Sequence, residues 1–262
     1  MTPPDLSKIV NLRDYPIQDD AFRVDSLSTL AQQGALVMPN FIQAAAIAQI
    51  KLEGESNIHK AYFKTEQHNI YLTGEDASYP SDHSRNRLVT SSKGCITDDC
   101  VPKESPLRTL YDSEEFKSFL CAILGEQQLH PYADPLSSIN LHYAKTGQEL
   151  GWHFDNSSFA ITLMIQEPVK GGQFEYVSNV RDADKNEMGF DTVKAVLDEH
   201  LDFKTISMQP GTLVLFRGRN ALHRVASNEG DVTRMLAVLA YNSKPDIELS
   251  ESARMTFYGR LN

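Results

Sequence analysis

The chain has 262 residues, a 41% hydrophobic fraction and a formal net charge of −10. That length suits one large domain, and the excess of carboxylates argues against nucleic acid or an anionic membrane surface as a partner, because both are held through Lys and Arg. No apolar run approaches the roughly 20 residues of a spanning helix, and Cys95, Cys100 and Cys121, odd in number and without C-x-x-C spacing, read as free thiols in a reducing, cytoplasmic compartment.

Residues 1–20 read as an extended lead-in without the apolar centre of a secretory signal. Asp25 is placed to cap a short helix through Leu27 and Leu30, ended by Gly34. Ala35 to Met38 reads as a strand stopped by Pro39, and Gln43 to Glu53 as an Ala-rich helix. The segment from His59 to Ser105 is rich in Ser, Asp, Asn and Gly and predicts irregular chain, a lid or a binding loop. Asp112 then caps a helix over 113–124, where Phe116, Phe119, Leu120, Ile123 and Leu124 form one apolar stripe and Gly125 ends it.

From Ser137 onward the pattern is short strands and turns. Strands are expected at 139–143, 159–165, 173–177, 211–216, 222–225 and 234–241, with one inserted helix over 191–201. The expectation is an α+β, mainly β fold. Its centre is a jelly roll (double-stranded β-helix) over 137–245, braced by N-terminal helices and carrying a substrate-loop region within 21–135, all in a single domain over 1–262. Its open end leaves room for a metal and two ligands between the sheets.

His153-Phe154-Asp155 is the first chemical signal. Side chains alternate along a strand, so residues i and i+2 share a face and two ligands come from one strand. His223, in the later strand-like Leu222-His223-Arg224-Val225, supplies the third. Two imidazoles and one carboxylate are the facial triad of non-heme Fe(II), which leaves the opposite face of the metal open.

The stretch from Tyr143 to Tyr241 resembles the Fe(II)/2-oxoglutarate-dependent oxygenases, in the branch that includes prolyl hydroxylases. Tyr143, Gly147, His153 and Asp155, the Gly171-Gly172-Gln173-Phe174 turn, the Pro210-Gly211-Thr212-Leu213-Val214-Leu215-Phe216 strand, His223 and Arg234 appear in the family's order. A narrower likeness is to bacterial oxygenases of free amino acids, the lysine halogenases and their hydroxylating relatives. It rests on His68-Asn69-Ile70-Tyr71, Asp82-His83, Trp152-His153-Phe154, Gly172-Gln173-Phe174-Glu175-Tyr176 and Phe257-Tyr258-Gly259-Arg260.

The resemblance implies Fe(II) held by His153, Asp155 and His223, with 2-oxoglutarate and O2 as cosubstrates. It implies Arg234 as the clamp on the distal carboxylate of 2-oxoglutarate, a task that suits a planar guanidinium that keeps its charge when desolvated. Tyr143 is a second contact to that carboxylate or else a packed core tyrosine, and Asn140 and Arg219 are further cosubstrate candidates. For the substrate the candidates are Asn156, Arg85, Arg87, His68 and Tyr71, each weighed against a role as ordinary loop surface. Trp152 points away from His153 in a regular strand and is expected to pack. In the halogenating relatives Gly or Ala stands at the carboxylate position, which opens a place for chloride; Asp155 here implies a hydroxylase. The expected activity is hydroxylation of an unactivated C–H bond in a free amino acid or small polar metabolite. Oxygenation of a protein side chain, or a non-catalytic cupin-like metal or ligand binder, are the competing readings.

Overall fold

The structure, a computed structural model, describes residues 5–262. In chain order its helices are α1 (Asp20–Gln33), α2 (Ala44–Asn57), α3 (Pro106–Asp112), α4 (Glu114–Leu124), α5 (Phe190–Leu197) and α6 (Glu251–Tyr258). Its strands are β1 (Ala35–Met38), β2 (Tyr62–Asn69), β3 (Leu88–Ile96), β4 (Ile139–Ala144), β5 (Leu150–His153), β6 (Ala160–Gln166), β7 (Lys170–Gly171), β8 (Phe174–Val177), β9 (Lys204–Ile206), β10 (Leu213–Phe216), β11 (Leu222–Val225), β12 (Asn228–Glu229) and β13 (Arg234–Leu239).

Eleven strands form one antiparallel sheet in the order β1-β10-β6-β13-β4-β3-β5-β11-β8-β9, with β2 paired to β3. The sheet curls so that its two halves face each other: Met164, Val214, Phe216 and Leu236 of one half pack against Tyr176 and Ile206 of the other. The rings of Phe174 and Phe216 meet edge to face with centroids 4.8 Å apart. This is the jelly roll that the alternating patterns predict. Alternation sorts each strand cleanly. On β13, Met235, Ala237 and Leu239 join the core under α1 to α4, while Leu236 and Val238 turn to the space between the half-sheets.

The helices brace the outer face of β4, β6, β10 and β13, as their apolar stripes require. The α4 stripe of Phe116, Phe119, Leu120, Ile123 and Leu124 is buried as expected. Its cap is Ser113, whose hydroxyl accepts from Phe116 N–H, and not Asp112, because a separate helix α3 runs up to Asp112. Similarly α1 starts earlier than expected. Asp19 caps it by accepting from Phe22 N–H at 2.8 Å, and Asp25 lies within the helix. Gly34 ends α1 at φ 76°, a left-handed geometry that glycine adopts without a Cβ clash.

The largest correction concerns 59–105. Rather than irregular throughout, this segment forms the long β2–β3 hairpin, paired from Tyr62↔Cys95 to Asn69↔Leu88, with the 70–87 connection and the 97–105 stretch after β3 irregular. Strand β3 pairs with β4 through Cys95↔His142 and with β5 through Ser91↔Leu150. It therefore joins the two half-sheets, and the N-terminal region adds to the jelly roll as well as bracing it. The 70–87 connection is itself stitched together. Asn69 accepts from Tyr71 and Thr73 N–H, Asn86 bonds the backbone of Asp76 and Tyr79, and the Ser84 hydroxyl donates to Phe190 O. Among the described residues no helix is long and apolar enough to cross a membrane.

Candidate metal centre

His153 and His223 are direct cross-strand partners on β5 and β11. Their ring centroids lie 4.2 Å apart. Asp155 follows two residues after His153, past the end of β5, where its N–H donates to Gly218 O at 3.1 Å. The carboxylate Oδ1 lies 3.8 Å from His153 Nε2 and 3.5 Å from His223 Nε2. One ligand atom from each of the three lies within 4.8 Å of the others.

Both imidazoles are oriented from behind. His153 Nδ1 is 2.8 Å from Gly151 O and His223 Nδ1 is 3.0 Å from Ala221 O. A carbonyl accepts only, so each Nδ1 carries the proton and each Nε2 lone pair points toward Asp155. Burial pushes the His153 pKa down to about 3, and His223 beside it acts in the same direction. For Asp155 burial acts upward, but His223 and His153 outweigh it and hold the carboxyl below its usual range. A neutral His153 beside an ionised Asp155 is the protonation state that a divalent cation requires. Asp155 Oδ1 faces the two Nε2 atoms, and the buried Oδ2 lies against Gly218 with no hydrogen-bond partner among the described residues. A buried carboxylate beside two imidazole lone pairs fits a bound cation.

Two residues that sequence reasoning missed hold Asp155 in place. Gly218 lies against the carboxylate so closely that a Cβ there would collide with Oδ2. Arg181 donates from Nη2 to Asp155 O at 3.3 Å and from Nε to Arg219 O at 2.7 Å, with its guanidinium 4.2 Å from the Phe154 ring centroid. Gly218 carried a signal only in standing between Arg217 and Arg219; Arg181 lay in a charged run that looked like solvated surface.

Arg234, the first residue of β13, is 4% exposed. Its Nε donates to Gly172 O at 3.1 Å, while Nη2 is buried with no partner among the described residues. Burial alone pulls its pKa down to about 10. An enclosed guanidinium with a free edge suits a bound carboxylate. His142, opposite Leu236 on β4, borders the same space. Burial, then Lys93, then Arg234 hold its pKa well below the ordinary value.

The other expected cosubstrate contacts lie elsewhere. Tyr143 is fully buried on the helix-facing side of β4, where its hydroxyl donates to Gly54 O at 2.9 Å; strand alternation turns it away from His142 and the pocket. Asn140 faces inward, but its amide is spent on Leu136 O and Ile139 O, and its carbonyl accepts from the Tyr258 hydroxyl. Arg219 pairs with Asp184 at 2.9 Å near the surface, away from Arg234's strand.

The substrate candidates divide. His68 stands at the metal site's edge, its ring centroid 6.2 Å from that of His153 and its Nε2 2.7 Å from Ser91 Oγ. Arg85 keeps Nη1 buried without a partner while Nη2 donates to Gly74 O. Arg87 is committed to Asp198 and Leu197 O of the α5 region, so it pins the hairpin connection. Tyr71 packs with Phe154 and Trp152 on the outer side of the metal strand and donates to Met188 O, so it is not in the pocket. Asn156 is exposed, with its carbonyl accepting from Arg219. Trp152 packs outward, as expected, with the Arg224 guanidinium 4.8 Å from its ring.

The Halogenase D family matches residues 24–257. No curated sequence matches the chain. Among solved structures, similarity extends to the non-heme alpha ketoglutarate dependent carbocyclase SnoK from nogalamycin biosynthesis, at 14% identity and a TM-score of 0.59 over 88% of this chain and 89% of that one. A prolyl hydroxylase from Trichoplax adhaerens, solved with a hypoxia inducible factor peptide, matches at 12% identity and a TM-score of 0.57 over 91% and 96%. An oxidoreductase of the 2OG-Fe(II) oxygenase family from Burkholderia pseudomallei matches at 12% identity and a TM-score of 0.54 over 88% and 95%. The fold is thus the one that these oxygenases share.

Proposed function

The chain belongs to the halogenase D family, and on that premise we propose that it is an Fe(II)- and 2-oxoglutarate-dependent oxygenase that hydroxylates an unactivated C–H bond in a free amino acid or small polar metabolite. One observation carries this reading. Two buried polar atoms of opposite charge, Asp155 Oδ2 and Arg234 Nη2, have no hydrogen-bond partner among the described residues. A metal ion between that carboxylate and the two Nε2 atoms would answer the negative charge, and the distal carboxylate of 2-oxoglutarate the positive one.

In this reading His153 and His223 would hold the iron through Nε2 and Asp155 through its carboxylate. The Gly151 and Ala221 carbonyls keep both Nδ1 protons in place, so neither ring turns or changes tautomer. Arg234 would hold the cosubstrate, and Gly172 O fixes the guanidinium that does so. Phe174, Phe216 and Leu236 surround this space with apolar surface and exclude water. When bound, iron with 2-oxoglutarate and O2 supplies an oxidant able to take a hydrogen atom from carbon, with succinate and CO2 as coproducts.

Asp155 favours hydroxylation over halogenation despite the family's name. His153, Asp155 and His223 would all three hold the metal, so the position that a Gly or Ala would leave open to a halide is filled by the Asp155 carboxylate. The test is anaerobic reconstitution with Fe(II), then addition of O2, 2-oxoglutarate, chloride and a panel of amino acids. The expected result is succinate together with a product heavier by one oxygen. A chlorine isotope pattern would overturn the hydroxylase reading. A product lighter by two hydrogens would redirect it to desaturation or ring closure. Absence of succinate under every condition would refute the oxygenase reading itself.

A further inference from the structure

Strand β3 borders both half-sheets, and Lys93 lies between its two registers, Cys95↔His142 on one side and Ser91↔Leu150 on the other. By alternation Lys93 shares a face with both Ser91 and Cys95, so it enters the space between the metal strand and the strand beside Arg234. Its Nζ lies 3.3 Å from each ring nitrogen of His142 and 5.7 Å from the ring centroid of Phe257 on α6. Neither neighbour is a counter-ion: Phe257 offers a ring face, and His142 is held neutral.

The two carboxylates whose charge reaches Lys93 are Glu66 and Asp155. Glu66 pairs with Lys64 at 2.5 Å, and Asp155 faces the two histidines. Lys93 is half-buried, burial lowers its pKa below the ordinary value, and no carboxylate among the described residues lies within pairing distance of Nζ. Among the described residues Arg234 and Lys93, like Arg85 and Arg181, have no carboxylate partner, and Arg234 and Lys93 are the two whose charge reaches His142. One 2-oxoglutarate, clamped at its distal end, answers the first. The second calls for another carboxylate.

Resting on the oxygenase reading above, we propose that Lys93 anchors a carboxylate of the substrate, which is therefore a small carboxylic acid held between β3 and the metal triad with Phe257 of α6 over the ammonium. Lys93 acts here as a specificity-determining residue that touches substrate. The other possible owner of the carboxylate is 2-oxoglutarate itself, and the experiment separates the two.

Thermal unfolding is followed on protein loaded anaerobically with Fe(II), first with 2-oxoglutarate titrated to saturation. Acetate and L-alanine are then added as carboxylate probes, with acetamide and L-alaninamide as their carboxamide counterparts. Both carboxylates should raise the Tm of the wild type and of Lys93→Arg, and neither carboxamide should. Lys93→Met and Lys93→Gln should lose about tenfold or more in apparent affinity for the carboxylates while keeping wild-type affinity for 2-oxoglutarate. Lys93→Met removes a half-buried charge and keeps the side chain's length, so it should fold; Lys93→Gln provides a second neutral variant. Equal carboxylate affinity in either neutral variant, or no carboxylate effect on the wild type, overturns the proposal. A tenfold loss of 2-oxoglutarate affinity in the Lys93 variants also overturns it, by assigning the ammonium to the cosubstrate. If 2-oxoglutarate itself does not stabilise the wild type, the oxygenase reading fails, and this inference falls with it.

Discussion

His153 and His223 stand opposite each other on adjacent antiparallel strands, each with Nδ1 tied to the carbonyl two residues before it in its own strand region. The same local device, used twice, aims both Nε2 atoms at Asp155. Replacing either histidine by alanine should abolish retention of Fe(II) while the far-ultraviolet circular dichroism stays at the wild-type level. Metal analysis after dialysis checks this, and tight iron in either variant contradicts the ligand set.

Gly218 should prove as important as a ligand without being one. Its backbone carbonyl accepts from Asp155 N–H, and its bare Cα is the floor on which the carboxylate rests. Gly218→Ala should displace Asp155 and weaken metal binding by about 10- to 100-fold, as expected of a group that orients a ligand. Competition with a chelator measures it; unchanged affinity would show that the carboxylate has room to move.

Arg234→Ala should cost roughly 2–5 kcal/mol of 2-oxoglutarate binding, the usual consequence of removing one member of a buried ion pair. Calorimetric titration with 2-oxoglutarate is the measurement. Arg234→Met should also raise the melting temperature of the ligand-free protein, because it removes a buried charge that has no carboxylate partner among the described residues. Unaltered 2-oxoglutarate affinity would move the role to another cation, with Arg219, which pairs with Asp184 at the surface, first in line.

His142 should make the protein acid-sensitive. Its folded pKa is depressed by burial, by Lys93 and by Arg234, so the folded state refuses a proton that the unfolded imidazole accepts. Above pH 6.5, the ordinary value, both states are neutral and nothing is lost. As pH falls below that value the unfolded state binds more protons, and stability should drop by up to about 1.4 kcal/mol per pH unit from this residue. Urea unfolding of the wild type and His142→Leu at about pH 8 and about pH 5, the two ends of the range over which histidine changes charge, tests the sign. Parallel curves for the two proteins would refute it.

The metal-binding half of the molecule was legible because its signals are local. The H-x-D spacing brings His153, the last residue of β5, and Asp155, two residues beyond the strand, to one site, and β10 and β13 announce themselves by continuous apolar runs between a turn and a charge. The α4 helix was legible for the same reason, in its five-residue stripe. The β2–β3 hairpin was not. Lys64, Glu66 and His68 alternate with Phe63, Thr65 and Gln67, so neither face reads as apolar, and the strand is defined by its pairing partner. Lys93 and His142 were hidden by the same fact. Whether a charged residue on such a strand meets water or a pocket depends on a register made with residues some fifty positions away, between Cys95 and His142. Tyr143 shows the reverse error: it stands at a motif position, but its neighbour's side chain, not its own, faces the site.

Because β3 is the seam between the half-sheets, one wall of the pocket is built from chain that precedes the motif-bearing core. The metal ligands and Arg234 belong to one stretch of sequence, Lys93 and His68 to another, and the two meet only across the seam. On the reading proposed above, recognition and chemistry would sit on separable segments: a library confined to residues 62–96 would vary the wall that carries Lys93 and His68 while leaving His153, Asp155 and His223 unsubstituted, provided that Ser91, whose hydroxyl accepts from Gly151 N–H on the His153 strand, is kept.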